Sequence, residues 1–296
     1  FPKGLPWEKS DEGLSSPPKV YHDKIFVFTR EDGKLKPRLV AARLMQQLAY
    51  SECLSHAQGI ICLGGDWKTH DKNATHHISN SHRSDSVFVL HWDGQAVSQS
   101  DVLPVKGVPN WELRPLPKLP EATTDLAGVL IGEKIFLTGG DSGKGATKHF
   151  WMLDLAQRKK DSKKPFEWQA LEPWPGPART HHLAVAQHDG FEVCLFIFSG
   201  REKVDGKWVL HSDAYKFTPS KKKWKKLGDI KVKADAQARC VMAGTAAAWG
   251  ANHLLLFGGA DGERFLKLTS DLPQDEKLKI LTTHDGFSRD VLLYNC

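Results

Sequence analysis

Two sets of polar residues recur at fixed places along this chain. Asp66, Asp141, Arg201 and Asp261 each stand just past a pair of small residues that ends an apolar run, while Tyr50, Asp125, Arg179 with His181, and Arg239 stand just before such runs begin. Carboxylates and an imidazole can take and return protons, and a guanidinium grips a carboxylate through two parallel N–H donors. Arg179 and Arg201 are therefore candidate partners for a carboxylate or hydroxyl of a small molecule, with Tyr50, Asp125, His181 and Asp66 as hydrogen-bonding neighbours. Plainer roles compete with these. Arg179 and Asp125 would serve equally to tie adjacent elements together through backbone hydrogen bonds, and His181 to be a satisfied structural histidine.

The elements that must position them repeat. Apolar runs climb to a small-residue pair four times: GIICLGG ending at Gly65, KIFLTGG at Gly140, CLFIFSG at Gly200 and HLLLFGG at Gly259. A second apolar run precedes each across a short polar turn, as in LAGVLI, Gly132-Glu133, KIFLTGG, which predicts a β-hairpin. A third run follows a polar loop: SVFVLHW from Ser86, HFWMLDL from His149, DAYKFT from Asp213 and DVLLYN from Asp290. Trp111, Trp168 and Trp224 are read as opening a fourth strand, and the six residues between Phe217 and Trp224 fit an aromatic that ends one strand and an indole that opens the next. A four-stranded unit recurring about every sixty residues predicts an all-β, kelch-type β-propeller. An ordinary sandwich explains strands but not one order of signals repeated. The loops before inner strands and after second strands then converge at one mouth of a central channel, where the two polar sets meet.

Residues 1–19 read as an N-terminal extension and 20–296 as propeller, with blades at about 39–98, 111–156, 168–218 and 224–296 and an outer-strand fragment at 20–38. That makes about four blades and a partial one. Two open blade faces would each expose about ten large apolar side chains at about 1.5–3 kcal/mol apiece, against a domain stability of about 5–15 kcal/mol. The expectation is a longer polypeptide with about two more blades.

Hydrophobic residues make up 40% and charged residues 26% of the chain, and no apolar run approaches a membrane span of about eighteen residues, so membrane insertion is not expected. The net charge of +6 is concentrated in RKKDSKK from Arg158 and KKKWKK from Lys221, both placed at solvated turns between third and fourth strands. Nucleic-acid binding is not expected from basic turns of this kind. The cysteines Cys53, Cys62, Cys194, Cys240 and Cys296 have no paired short spacing, and Cys62 and Cys194 read as small core residues within strands. His70, His76, His77 and His82 crowd one polar loop but lack the pattern of a metal site, so neither a metal nor another cofactor is expected. The chain opens with Phe1 and shows no charged-then-apolar leader, and the sequon at Asn73 matters only in a eukaryotic secretory setting.

LEPWPGPARTHHLAVA from Leu171, LPEATTDLAGVLIGEKIFLTGGDSG from Leu119 and LAYSECLSHAQGIICLGGDW from Leu48 resemble successive blades of the sialic acid mutarotase family, the N-acetylneuraminate epimerases. The blade order is that of its cyclically permuted branch. The resemblance implies a six-bladed propeller that interconverts the α and β anomers of N-acetylneuraminate, a sugar acid substrate. One group removes the anomeric hydroxyl proton and another protonates the ring oxygen. It also implies export, as to a bacterial periplasm. The family's Gly-Glu followed after five residues by Arg is absent from residues 1–296. No catalytic residue is therefore assigned, the acid/base pair is expected outside these residues, and this chain alone is expected to be inactive. The alternative is a non-catalytic kelch propeller that binds carbohydrate or protein, since a propeller fold alone does not determine function.

Overall fold

The second strand of each repeat is apolar at consecutive positions, a pattern suited to a strand covered on both faces. A computed structural model shows that covering. It describes residues 21–68, 81–231, 237–283 and 288–296, together with two short strand pieces at 9–10 and 13–14. His70, His76, His77 and Asn73 lie outside the described residues.

Four antiparallel sheets succeed one another along the chain as blades of a β-propeller. Blade one pairs Glu52–His56, Gly59–Leu63, Val87–Trp92 and Val97–Ser100, from innermost to outermost strand. Blade two pairs Ala127–Ile131, Lys134–Thr138, Phe150–Asp154 and Gln169–Ala170, and blade three Leu183–His188, Val193–Phe198, Asp213–Thr218 and Lys223–Asp229. Blade four pairs Thr245–Trp249, His253–Phe257 and Val291–Asn295. An additional hairpin, Lys24–Glu31 with Lys34–Arg43, precedes them. Its turn is Asp32-Gly33, both at positive φ, the geometry that matches strand twist in a two-residue loop.

The blades join face to face. Ile135 and Leu137 point from blade two into a core shared with Leu54, Ile61, Leu63, Val87 and Val89 of blade one. Phe136, between them in sequence, points the other way, into a core with Leu195, Ile197, Tyr215 and Phe217 of blade three. Blade three repeats the division, since Phe196 and Phe198 pack with Leu254 and Leu256 of blade four. One strand thus supplies two cores, which is why its sequence is not alternating.

Indoles stitch the outer edge. Trp168 Nε1 donates to Pro117 O at 3.1 Å and Trp224 Nε1 to Glu172 O at 3.0 Å, each reaching the crossover that brings the chain in from the preceding blade. These tryptophans sit at the outer strand of the same sheet as the three strands before them, so the hydrogen-bonded sheets span 52–100, 127–170, 183–229 and 245–295 rather than dividing at the Trp positions. Trp111 corrects the sequence reading. It lies in a short 3₁₀ turn, Asn110–Glu112, and is 72% exposed. The outer strand of blade one begins earlier, at Val97, because Asp93 Oδ1 accepts from the N–H groups of Gln95 and Ala96 and reverses the chain at once.

Candidate functional site

The small-residue pairs place the next side chain at the channel mouth by backbone contact alone. Gly65 N donates to Thr123 O of the next blade at 2.8 Å, and Gly140 N to Arg179 O at 2.9 Å. The approach is close enough that a Cβ on Gly64 would lie 2.4 Å from Thr123 O. Just beyond each pair, the chain bonds the segment that leads into its own blade's inner strand. Asp141 exchanges backbone bonds with Thr124, Arg201 with Thr180, and Ala260 with Met242, while Asp66 pairs with Ala49.

One residue further on from those partners stand Tyr50, Asp125, His181 and Ala243, the corresponding position in four successive blades. All four have positive φ, between 52° and 57°. They are chained to one another: Asp125 N donates to Tyr50 O, His181 N to Asp125 O, and Ala243 N to His181 O. The arc aligns their side chains along the mouth.

Three of the candidate residues meet there. His181 Nε2 lies 3.3 Å from Asp125 Oδ1 and 3.3 Å from Arg201 Nη2, while its Nδ1 is 3.0 Å from Thr180 Oγ1. The imidazole thus faces an acceptor and a donor at the same nitrogen. Protonated, Nε2 donates to Asp125; neutral, with its hydrogen on Nδ1 toward Thr180, it accepts from Arg201. Arg201 is itself held between rings, 4.1 Å from the centroid of Phe265 and 4.9 Å from that of Trp208. Trp208 is on the hairpin Arg201–Val204 with Lys207–Leu210, and Phe265 is on helix α1, Glu263–Thr269, which with α2, Gln274–Thr282, occupies the loop after the second strand of blade four. Burial lowers the pKa of Arg201, and the charge of Asp125 opposes the shift.

Asp66 and Tyr50 continue the line into blade one. Asp66 is buried and accepts from Tyr21 Oη at 2.7 Å, and the Tyr21 ring meets that of Tyr50 edge-on at 6.3 Å between centroids. Burial, the bond to Asp66 and its negative charge push the Tyr21 hydroxyl well above its ordinary pKa. The other oxygen of Asp66, Oδ1, is buried with no hydrogen-bond partner among the described residues. Arg83 Nη2 pairs with Asp141 Oδ2 at 3.1 Å between blades one and two. Tyr21 and Arg83 were not singled out in the sequence. Tyr21 lies outside any strand, just ahead of Lys24–Glu31, and Arg83 belongs to a short strand, Ser81–Arg83, that pairs with Asp66–Lys68.

Arg179 is not at the mouth. Its side chain is 0% exposed, with Nη1 donating to Ser199 O at 2.8 Å and Nη2 paired with Asp213 Oδ1 at 3.0 Å. The guanidinium also lies 5.5 Å from the Trp174 ring centroid and 5.3 Å from that of Tyr215. It ties structure together, its donors directed to the Ser199 carbonyl and the Asp213 carboxylate. Asp261 accepts from Glu263 N at 3.1 Å, just ahead of the Gly262 N-cap of α1, and Arg239 pairs with Asp290 at 2.7 Å. Among the described residues no group of three or more His, Cys, Asp or Glu is placed to hold a metal ion, and His82 stacks on Trp67 at 4.7 Å.

The family model for N-acetylneuraminate epimerase matches residues 116–282, which include Asp125, His181 and Arg201. A curated N-acetylneuraminate epimerase from Pasteurella multocida (strain Pm70) is 29% identical over 157 residues, 53% of this chain and 36% of the relative. One from Haemophilus influenzae (strain PittEE) is 33% identical over 112 residues, 38% of this chain and 26% of the relative. A third, from Salmonella arizonae, is 28% identical over 116 residues, 39% of this chain and 27% of the relative. The matched stretches thus span about a third or less of the curated relatives' length.

Proposed function

This chain belongs to the N-acetylneuraminate epimerase family, and from that premise we propose that the protein is a sugar mutarotase interconverting the α and β anomers of N-acetylneuraminate. The observation that carries the reading is the meeting of Arg201, His181 and Asp125 at one channel mouth. Arg201 suits the sugar's carboxylate, because a guanidinium forms two parallel bonds to it. Its aromatic sandwich strengthens that pairing by keeping water from the guanidinium face. Asp66, Tyr50 and Tyr21 offer acceptors and donors to the hydroxyls.

Mutarotation requires a base for the anomeric hydroxyl and an acid for the ring oxygen, with roles exchanged on closure. That pair is assigned to residues outside 1–296, since the Gly-Glu and Arg pattern expected of the family is not within them. In this division of labour the mouth of blades one to three binds and orients the sugar acid. An exported protein is the setting we propose.

The test is NMR exchange between the anomers of N-acetylneuraminate, measured for the native protein and for Arg201→Ala. Acceleration by the native protein that falls at least tenfold in the variant supports the assignment. Binding without acceleration would replace the enzyme with a carbohydrate-binding propeller, and neither binding nor acceleration would remove sialic acid as the ligand.

A further inference from the structure

Cys53 and Cys62 face each other across the hairpin of the inner and second strands of blade one. The strands are joined by a two-residue turn at Ala57 and Gln58, so His56–Gly59 is the hydrogen-bonded closing pair. Pair types alternate along an antiparallel ladder, which makes Cys53–Cys62 a non-hydrogen-bonded pair. Such pairs hold their Cα atoms about 4.5 Å apart, at the near end of the range of about 4.4–6.8 Å that a disulfide spans. The two sulfurs are 3.7 Å apart, in contact and unbonded.

The two thiols differ in a way that gives each a role. Cys53 is exposed and Cys62 is 4% exposed. The S–H···S contact lowers the pKa of Cys53, while the same contact together with burial raises that of Cys62. The accessible sulfur is thus the one an external disulfide reaches, and the buried one stands in contact with it, placed to attack it in turn. Cys194 and Cys240 are occupied elsewhere, next to Thr218 Oγ1 at 3.9 Å and Ser199 Oγ at 3.2 Å.

We propose that Cys53 and Cys62 form a modification site that reacts with a low-molecular-weight disulfide of the glutathione type and closes into an intramolecular disulfide. The Cys53 thiolate attacks one sulfur of the oxidant, forming a mixed disulfide and expelling one thiolate. Cys62 gives up its proton to that thiolate or to water and attacks the Cys53 sulfur, and the second oxidant half leaves as a thiolate. Two protein thiols are oxidised while one external disulfide is reduced to two thiols. The bond braces the hairpin that runs from Tyr50 to Asp66, the two mouth residues of blade one.

The test equilibrates the native protein with mixtures of reduced and oxidised glutathione, quenches with acid, alkylates with iodoacetamide and digests with trypsin without reduction. Both cysteines fall on one tryptic peptide, residues 44–68. The expected result is a peptide lighter by two hydrogen atoms and free of alkyl groups in the oxidising mixtures, reverting to doubly alkylated after dithiothreitol. Cys53→Ser, at the exposed position, removes the lighter form while leaving the far-UV circular dichroism unchanged. A peptide that stays doubly alkylated in every mixture, keeps a glutathione on Cys53, or is joined to a different cysteine overturns the proposal.

Discussion

Replacing Arg179 by Met distinguishes a structural guanidinium from a ligand-binding one. The substitution keeps an unbranched apolar stem, though a shorter one, and removes a charge that is 0% exposed, leaving Asp213, itself only 12% exposed in its side chain, without its Arg179 partner. Breaking a buried pair by removing one member costs about 3–5 kcal/mol, because the remaining charge is uncompensated. At about 2 °C per kcal/mol for a chain of this size, Tm should fall by about 6–10 °C. Adding Asp213→Asn should recover part of that loss, since the orphaned charge is then gone. The pH dependence gives a second reading. Burial pushes the Asp213 carboxyl up, but its contact with Arg179, the Arg179 charge and the Tyr215 hydroxyl outweigh it and hold the group below its ordinary value. A carboxyl lowered on folding contributes stability that is complete above its unfolded pKa of about 3.9 and is lost as pH falls through the lower folded value. Wild-type and Arg179→Met stabilities should therefore converge on acidification through that window. Thermal unfolding over a pH series, with N-acetylneuraminate titrated into each variant at neutral pH, measures both effects. An Arg179→Met protein with Tm within about 2 °C of wild type and sugar-acid affinity reduced more than tenfold would refute the structural reasoning and return Arg179 to the site.

Arg201→Lys keeps the charge but loses the two-pronged donor, and calorimetry should show N-acetylneuraminate binding weakened about tenfold, or about 1.4 kcal/mol, with little change in Tm. Asp189 accepts from Lys216 Nζ at 2.6 Å and from the N–H groups of Phe191 and Glu192, contacts that outweigh burial and hold its pKa below the ordinary value. Asp189→Asn should cost about 1–3 kcal/mol at neutral pH; urea titrations should show the gap closing as pH falls below about 4. Gly64→Ala adds a collision with Thr123 O to a φ of +61°, whereas Gly132→Ala meets nothing within 4 Å at a φ of +59°. Gly132→Ala should lose about 1 kcal/mol from backbone strain alone, and Gly64→Ala about 1–3 kcal/mol more from the overpacked contact, as read from denaturant midpoints.

The blades were legible because each is specified locally. The apolar runs, the turns at Gly132-Glu133 and the small-residue pairs lie within a few residues of what they shape, and a run such as VCLFIF records in its own composition that both faces are covered. Trp111 was misread because its spacing resembled the other two tryptophans, while the turn that starts the outer strand of blade one is set by Asp93. Depth was also hidden. Arg179 and His181 are two residues apart, yet one is sealed beneath Trp174 and Tyr215 while the other faces Asp125 and Arg201. Local sequence places both before an inner strand; only the packing of residues 174, 199, 213 and 215 around position 179 separates them.

The left-handed arc explains how a repeated backbone carries an unrepeated site. A non-glycine residue at positive φ costs about 1–3 kcal/mol, and Tyr50, Asp125 and His181 all bear that cost where glycine would avoid it. What fixes them is main chain: the N–H groups of Asp125 and His181 bond the carbonyl of the corresponding residue in the previous blade, the Tyr50 carbonyl accepts the first of these bonds, and the flanking residue is paired to the strand beyond the small-residue turn. Because no side chain is needed to hold the position, its identity is available for chemistry. The series phenol, carboxylate, imidazole and methyl follows from that independence. Glycine at Asp125 or His181 would relieve the strain and leave these backbone bonds in place, so each variant should be at least as stable as wild type while losing sugar-acid binding. Destabilisation by either substitution would show that the Asp125–His181 contact supports the propeller itself, and the candidate site would then shrink to Arg201 and the residues of blade one.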